Sequence, residues 1–392
     1  MVTRPSTASL LSFTLFALLF SFVMTSAAQD FSGSYSPRFA PGYRPDPGTD
    51  EGGFWYQVDK IEAEIKQSPR LVNDPELNEY VHGVVCKITP DYCPFIRVYI
   101  VRNPHFNASM YPNGMMHVWT GLLMRVDSEA QLATVLGHEI AHYLLTHSIS
   151  QWRKMRSGFA TAMVFDVLLT GGLASLAVAG NSLSFNRQQE EDADFFGLHM
   201  MANAGYQPSK ASELWQYLEI ESENDESKEN YSSFWSTHPK SKDRAKQLLM
   251  RGESLKHLEN EYITNQQDYV ARLSSEYFSF MTDHMNMQEL GQSEVLLQRQ
   301  LQLGFPPGQV NFFLGETYRL RNQDGDLNKA VSAYKKALTY EDSPPITYRE
   351  LGYLLTKLRD PSAVEYLRRY KELDPDASDI EMVDFYINSY SQ

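Results

Sequence analysis

The stretch TVLGHEIAHYLLTHS, residues 134–148, limits the fold more than any other part of the chain. Val135, Leu136, Ile140, Ala141, Leu144 and Leu145 recur at helical spacing and predict a helix with a buried apolar face. His138, Glu139 and His142 fall inside that apolar pattern. Imidazole and carboxylate groups are costly to bury without partners, so such a helix must give them something to hold. Residues four apart share a helical face, which lets His138 and His142 direct ring nitrogens at one point.

H-E-x-x-H on a helix is a pattern that supplies two zinc ligands, and zinc accepts imidazole readily. Glu139, one residue round, is placed to take a proton from water at such a site. The segment NRQQEEDADFFGLHMM, residues 186–201, offers the third ligand. Glu190 and Asp194 are four apart on one face of a second predicted helix, which stops at Gly205 before Pro208. Glu190 would complete a two-histidine, one-glutamate set, and Asp194 would orient a ligating histidine from behind. Ala193 is small enough to let two helices approach, while Glu191 and Asp192 read as a solvated acidic run.

The rest of the chain frames this pair of helices. With 392 residues, the chain is long enough for two domains, and 42% hydrophobic residues with 23 tyrosines point to globular packing. The net charge of −14 comes without basic tracts, which argues against nucleic acid as a partner. Arg4, an apolar run from Leu10 to Val23 and small residues up to Ala28 read as a cleavable export signal over 1–28, with an uncleaved anchor as the alternative. Residues 29–54 read as an extended or disordered lead-in. Helices are predicted at 56–67 and after Asp74-Pro75, strands at 95–101 and after the turn 112–114, and a capped helix start at Ser128 with Gln131. Cys86 and Cys93 flank a short Pro-Asp turn and could close a disulfide in an oxidising compartment; two buried free thiols are the alternative.

HEIAH followed by NRQQEEDAD, with FNASMYPNGMMHVWTGLL upstream and STHPKSKDR downstream, resembles the gluzincin peptidases of the CAAX-prenyl protease and HtpX type. The resemblance covers residues roughly 60–250. That family often has Ser where Asn186 stands, a position outside the ligand set. The resemblance implies an α+β zincin-like metallopeptidase domain over 55–255, mostly helical with a small β-sheet. It implies one Zn2+ per chain on His138, His142 and Glu190, with Glu139 as general base. His238 or Arg244 would stabilise the oxyanion, with a solvated helix position as the alternative for Arg244. His238 could instead be a turn residue, or could occupy zinc's fourth position and keep the enzyme latent. The strand Met116, His117, Val118, Trp119 and Thr120 would be the edge on which an extended substrate pairs.

Residues 256–392 read as an all-α tetratricopeptide-repeat solenoid. Leu314-Gly315, Tyr318, Ala330, Tyr334 and Ala337 form one copy, Leu351-Gly352, Ala363, Leu367 and Tyr370 a second, and QSEVLLQRQLQLGFPP a degenerate third. Repeats pack on neighbouring repeats, so residues 55–255 are expected to fold without them. The apolar stretch 159–180 reads as two short buried helices, with a membrane span as the alternative. Together these features predict a periplasmic endopeptidase acting on unfolded or misassembled envelope proteins. The repeats would recruit clients or the outer-membrane β-barrel assembly machinery. The competing reading is a repeat-based scaffold or chaperone with latent peptidase chemistry. Asn107 and Asn230 begin glycosylation sequons, and a glycan beside the substrate strand would be hard to accommodate.

Overall fold

The computed structural model describes residues 36–156, 185–224, 238, 244–255 and 261–390. The segment 1–28 expected to be an export signal, the apolar stretch 159–180 and Asn230 lie outside the described residues. Among the described residues no helix is long and apolar enough to cross a membrane.

The first helix, α1 (Asp50–Ile65), begins inside the segment expected to be an extended lead-in. Thr49 caps it by accepting from the Gly52 N–H, a bond worth about 1 kcal/mol. The Gly-Gly pair does not break the helix, because Gly52 is pressed against the Asp46 backbone, where a Cβ would sit 2.2 Å from the carbonyl oxygen. Phe54, Val58, Ile61 and Ile65 form its buried stripe. Helix α2 (Pro75–Ile88) starts as its sequence signals require, with Asp74 accepting from Leu77 N–H and Pro75 at the first helical position.

A three-stranded sheet follows, in the order β1 (Arg97–Val101), β3 (Met115–Trp119), β2 (Ala108–Met110). β3 runs parallel to β1, with Val98 opposite Met116 and Ile100 opposite Val118. It runs antiparallel to β2, with Ser109 opposite His117. The 112–114 turn between β2 and β3 is tied to α1, since Asn113 donates to both Asp59 and Glu62. Glu62 also accepts two 2.6 Å bonds from Arg97 and one from Tyr99, so one buried carboxylate joins α1, β1 and the turn.

α3 (Thr120–Arg125) leads into α4 (Glu129–Leu144), every residue of which is buried. Ser128 caps α4 by accepting from Gln131 N–H, while the Gln131 side chain reaches back to Asp127 N–H, one residue earlier than in a regular capping box. α4 is wedged between the sheet and α6 (Arg187–Asn203), with α5 (His147–Arg156) following it after a two-residue break at Leu145 and Thr146. At the crossing of α4 and α6 two glycines face each other: a Cβ on Gly197 would lie 2.7 Å from His138 N and 2.8 Å from Gly137 C. This glycine contact, more than the smallness of Ala193, sets how closely the two helices approach.

Helices α7 (Ser209–Glu223) and α8 (Arg244–Ser254) complete this region. Among the described residues eight further helices follow: α9 (Gln266–Leu273), α10 (Tyr277–Met285), α11 (Leu290–Leu303), α12 (Pro307–Arg321), α13 (Asp326–Ala337), α14 (Ile346–Lys357), α15 (Ala363–Leu373) and α16 (Ile380–Tyr390). From α12 onward neighbouring helices pack in pairs, as a helical repeat does.

The expected boundary at residue 255 is not a break in packing. One apolar core runs from Val72 to Ala363. Thr264 O accepts from Ala130 N–H and Asn265 Nδ2 reaches Glu129, so the linker itself satisfies the start of α4. Tyr269 donates to Leu123 O, Gln300 to Met124 O and Arg299 to Arg125 O. α9 to α11 thus belong to the same packed body as α2, α3, α4 and α7.

Candidate metal centre

His138 and His142 lie on α4, Glu190 on the first turn of α6, and His238 between α7 and α8. Asn186 begins α6 with a full capping box to Gln189, so Asn serves at this cap as a Ser would. Close approach at Gly137 and Gly197 then brings Glu190 over the two histidines. One donor atom from each of His138, His142, Glu190 and His238 falls within 4.8 Å of the others, and all four residues are buried. His142 Nε2 is 3.0 Å from His138 Nε2 and 3.3 Å from Glu190 Oε1. His238 Nδ1 is 2.9 Å from Glu190 Oε1 and 3.2 Å from His138 Nε2. On its other side, His238 Nε2 is 3.3 Å from Glu139 Oε1.

The residues behind the donors are ordered too. Asp194 Oδ1 stands 3.0 Å from His138 Nδ1, which turns Nε2 of that ring to the cluster. Arg244 donates to both oxygens of Asp194, at 2.7 and 2.6 Å, and its Nη1 is 3.0 Å from Glu190 Oε2. Its guanidinium lies 4.1 Å from the Trp215 ring centre and is only 4% exposed, so the solvated alternative does not hold. These bonds engage Arg244 with the acidic residues around the histidines.

Electrostatics follow from burial. Burial raises the Glu139 carboxyl above its usual range, and the Glu190 charge adds to this against the imidazoles and the Met110 N–H, which lower it. Burial also works to raise Glu190, but His238, Arg244 and His142 together hold it well below the usual carboxylate range. Glu139 Oε1 and Glu190 Oε2 are buried, and each is met by a charged or ring nitrogen, His238 Nε2 and Arg244 Nη1, without hydrogen-bond geometry. Two buried carboxylates converging on three imidazole rings suit a cation, and imidazole with carboxylate is a donor set zinc takes.

The strand expected to be the substrate edge is the centre of the sheet. Met116, His117, Val118 and Trp119 belong to β3, whose two sides are taken by β1 and β2. Thr120 starts α3 and exchanges hydrogen bonds with Asn103 instead. The outer strand of the sheet on the α4 side is β2, with Ala108 and Met110 themselves buried. Tyr111 N–H bonds to Met115 O and Trp119 N–H to Asn107 O, so alternation turns the backbone of Ala108 and Met110 outward. The Met110 N–H meets the Glu139 carboxylate. Sequence reading missed β2 because three residues, Ala-Ser-Met, carry no strand signal of their own.

Cys86 and Cys93 form a disulfide with Cα atoms 4.8 Å apart, joining the end of α2 to the turn before β1. Asn107 is buried at 5% exposure, where a glycan has no room.

A small sheet, a buried H-E-x-x-H helix and a glutamate from a second helix together define a zinc metallopeptidase domain of the gluzincin kind. Residues 72–251 match the sequence profile of peptidase family M48, so the chain carries an M48 domain. The mitochondrial metalloendopeptidase OMA1 of Schizosaccharomyces pombe is 33% identical over 156 residues, 38% of this chain and 45% of that protein. Its counterpart in Arabidopsis thaliana is 31% identical over 153 residues, 38% of this chain and 30% of that protein. The β-barrel assembly-enhancing protease of Escherichia coli is 28% identical over 211 residues, 47% of this chain and 43% of that protein. The chain spans less than half the length of these curated relatives.

Proposed function

We propose that this chain is an exported, zinc-dependent endopeptidase that cleaves unfolded or stalled envelope proteins in the periplasm. The observation that carries this reading is the convergence of His138, His142 and Glu190 beside Glu139 in one buried cluster. His138, His142 and Glu190 would hold the zinc. When bound, zinc supplies Lewis acidity, polarising a scissile carbonyl and making water acidic near neutral pH. Glu139, with its raised pKa, takes the proton from the attacking water and returns it to the leaving amine. Asp194 holds the His138 ring, and Arg244 fixes Asp194 and Glu190 as a positioning residue. An extended chain pairs along the outward edge of β2 at Ala108 and Met110, which selects unfolded segments over folded ones.

His238 acts in this reading as a fourth donor that covers the metal in the resting chain, giving a latent enzyme opened by withdrawal of the segment that carries it. Its distances to Glu190, His138 and Glu139 support that role over a remote turn position. The same cover is what favours the second reading, a scaffold or chaperone whose peptidase is rarely open.

The paired helices after residue 306 serve as tetratricopeptide repeats. In two successive pairs a glycine of the first helix faces the second helix, Gly315 against Tyr334 and Gly352 against Leu367. Such a solenoid would recruit clients or the outer-membrane β-barrel assembly machinery, in keeping with the name of the Escherichia coli relative. The test is digestion of an unfolded protein such as reduced casein. Wild type should cleave it and Glu139→Gln should not; equal cleavage by both would dismiss the peptidase reading.

A further inference from the structure

His142 lacks the carboxylate that backs His138, and its second nitrogen faces another histidine. His142 Nδ1 is 2.9 Å from Nδ1 of His147, a residue only 3% exposed. In a continuous helix His147, five residues on, would lie about 140° round the axis from His142 and ~7.5 Å further along it, out of reach of that nitrogen. The chain avoids this by breaking between α4 and α5 at Thr146, which has φ +53°. A β-branched residue in the left-handed region is an outlier that costs on the order of 1–2 kcal/mol. The surroundings hold the break in place: Thr146 N–H bonds to Tyr143 O, and Ser150 donates to Thr146 O through both its N–H and its hydroxyl. Strain kept at such a point suggests a purpose, and what it achieves here is the contact between the two rings. Phe185 closes the other side, stacking on the His142 ring at 3.8 Å.

The pair admits one arrangement of protons if His142 ligates. Its Nε2 faces Glu190 and His138, so that nitrogen offers its lone pair and the ring proton sits on Nδ1. Of two Nδ1 atoms 2.9 Å apart, one must donate and the other accept. His147 therefore presents an unprotonated Nδ1 and carries its own proton on Nε2.

We propose that His147 is the positioning residue of His142: as a neutral acceptor at Nδ1 it fixes the tautomer and the ring angle that aim His142 Nε2 at the metal. The proposal rests on the metal-site reading above. It also makes the two ligand histidines unequal, one backed by a carboxylate paired with arginine and the other by a neutral imidazole.

The test compares His147→Met with His147→Gln in the full-length chain, two side chains of similar length of which only Gln has an acceptor oxygen. Zinc affinity is read by competition with a chromophoric chelator, and folding of the metal-free proteins by circular dichroism and thermal unfolding. Loss of an outer partner of a ligating histidine typically weakens metal binding 10–100-fold. His147→Met should show a loss in that range, while His147→Gln should stay within about threefold of wild type. Zinc affinity of His147→Met equal to wild type would overturn the proposal, as would equal weakening of both variants with unfolding temperatures unchanged. If both variants unfold, Thr146→Gly, which keeps the turn and both rings, must bind zinc as wild type does; failure there overturns it too. His138→Ala separates the two levels of argument. Zinc retained in His138→Ala refutes the metal site itself, whereas zinc lost there but held normally by His147→Met refutes only the role of His147.

Discussion

Replacing Gly197 by alanine tests whether backbone contact between α4 and α6 sets the metal geometry. A Cβ at this position would sit 2.7 Å from His138 N and 2.8 Å from Gly137 C, both backbone atoms of a fully buried helix. Comfortable contact begins near 3.5 Å, so the helices must part by roughly 0.7 Å. Overpacking of this kind costs about 1–3 kcal/mol, and the better helix propensity of alanine returns about 1. Stability therefore falls modestly, by about 1 kcal/mol. The larger effect is on zinc, since Glu190 moves with α6 and a ligand set tolerates displacements of about 0.5 Å. Zinc affinity by chelator competition should drop about tenfold or more. Gly137→Ala is the milder partner, its nearest neighbour being Gly197 O at 3.1 Å, and should bind zinc nearly as wild type. Gly53→Ala, with nothing within 4 Å, should raise the unfolding temperature. Wild-type zinc affinity in Gly197→Ala, with an unfolding temperature raised as in Gly53→Ala, would refute the reasoning.

Three other outcomes are expected. A chain ending at residue 255 should fail to unfold cooperatively and should not hold stoichiometric zinc, because it loses Thr264 O and Asn265 at the start of α4 and the core residue Tyr269; normal zinc binding by this fragment would show α9 to α11 to be dispensable. Burial works to raise the pKa of Glu62, but Arg97 and Tyr99 bring it down to about 2. Its contribution of about 3 kcal/mol is therefore present above the ordinary carboxylate pKa near 4.5 and is lost as pH falls through 2, so the urea-midpoint gap between wild type and Glu62→Gln should close between those values. A gap that does not change with pH would contradict this. His238→Ala should retain zinc and cleave unfolded casein faster than wild type, and a slower rate would instead place His238 in catalysis.

How far the sequence could be read depended on whether a feature was local. α4 was legible because its apolar period, its Ser128 cap and the His138–His142 spacing all lie within one helix. Glu190 and Asp194 followed from the same four-residue logic on α6. The order of strands was not legible, since nothing in Met115–Trp119 reports that β2 will pair on its far side and make it central. The role of His147 was hidden because helical spacing places it away from His142, and only the left-handed Thr146 brings it back. The continuity of the core past residue 255 was hidden for a related reason: repeat-like helices say how they pack on each other, not what the first of them covers.

Zinc content of purified chains tests the central claim most directly. Wild type and Glu139→Gln should each carry one zinc per chain by elemental analysis, while His138→Ala and Glu190→Ala should carry close to none, because each removes one of three protein ligands. Equal zinc in wild type, His138→Ala and Glu190→Ala would contradict the account.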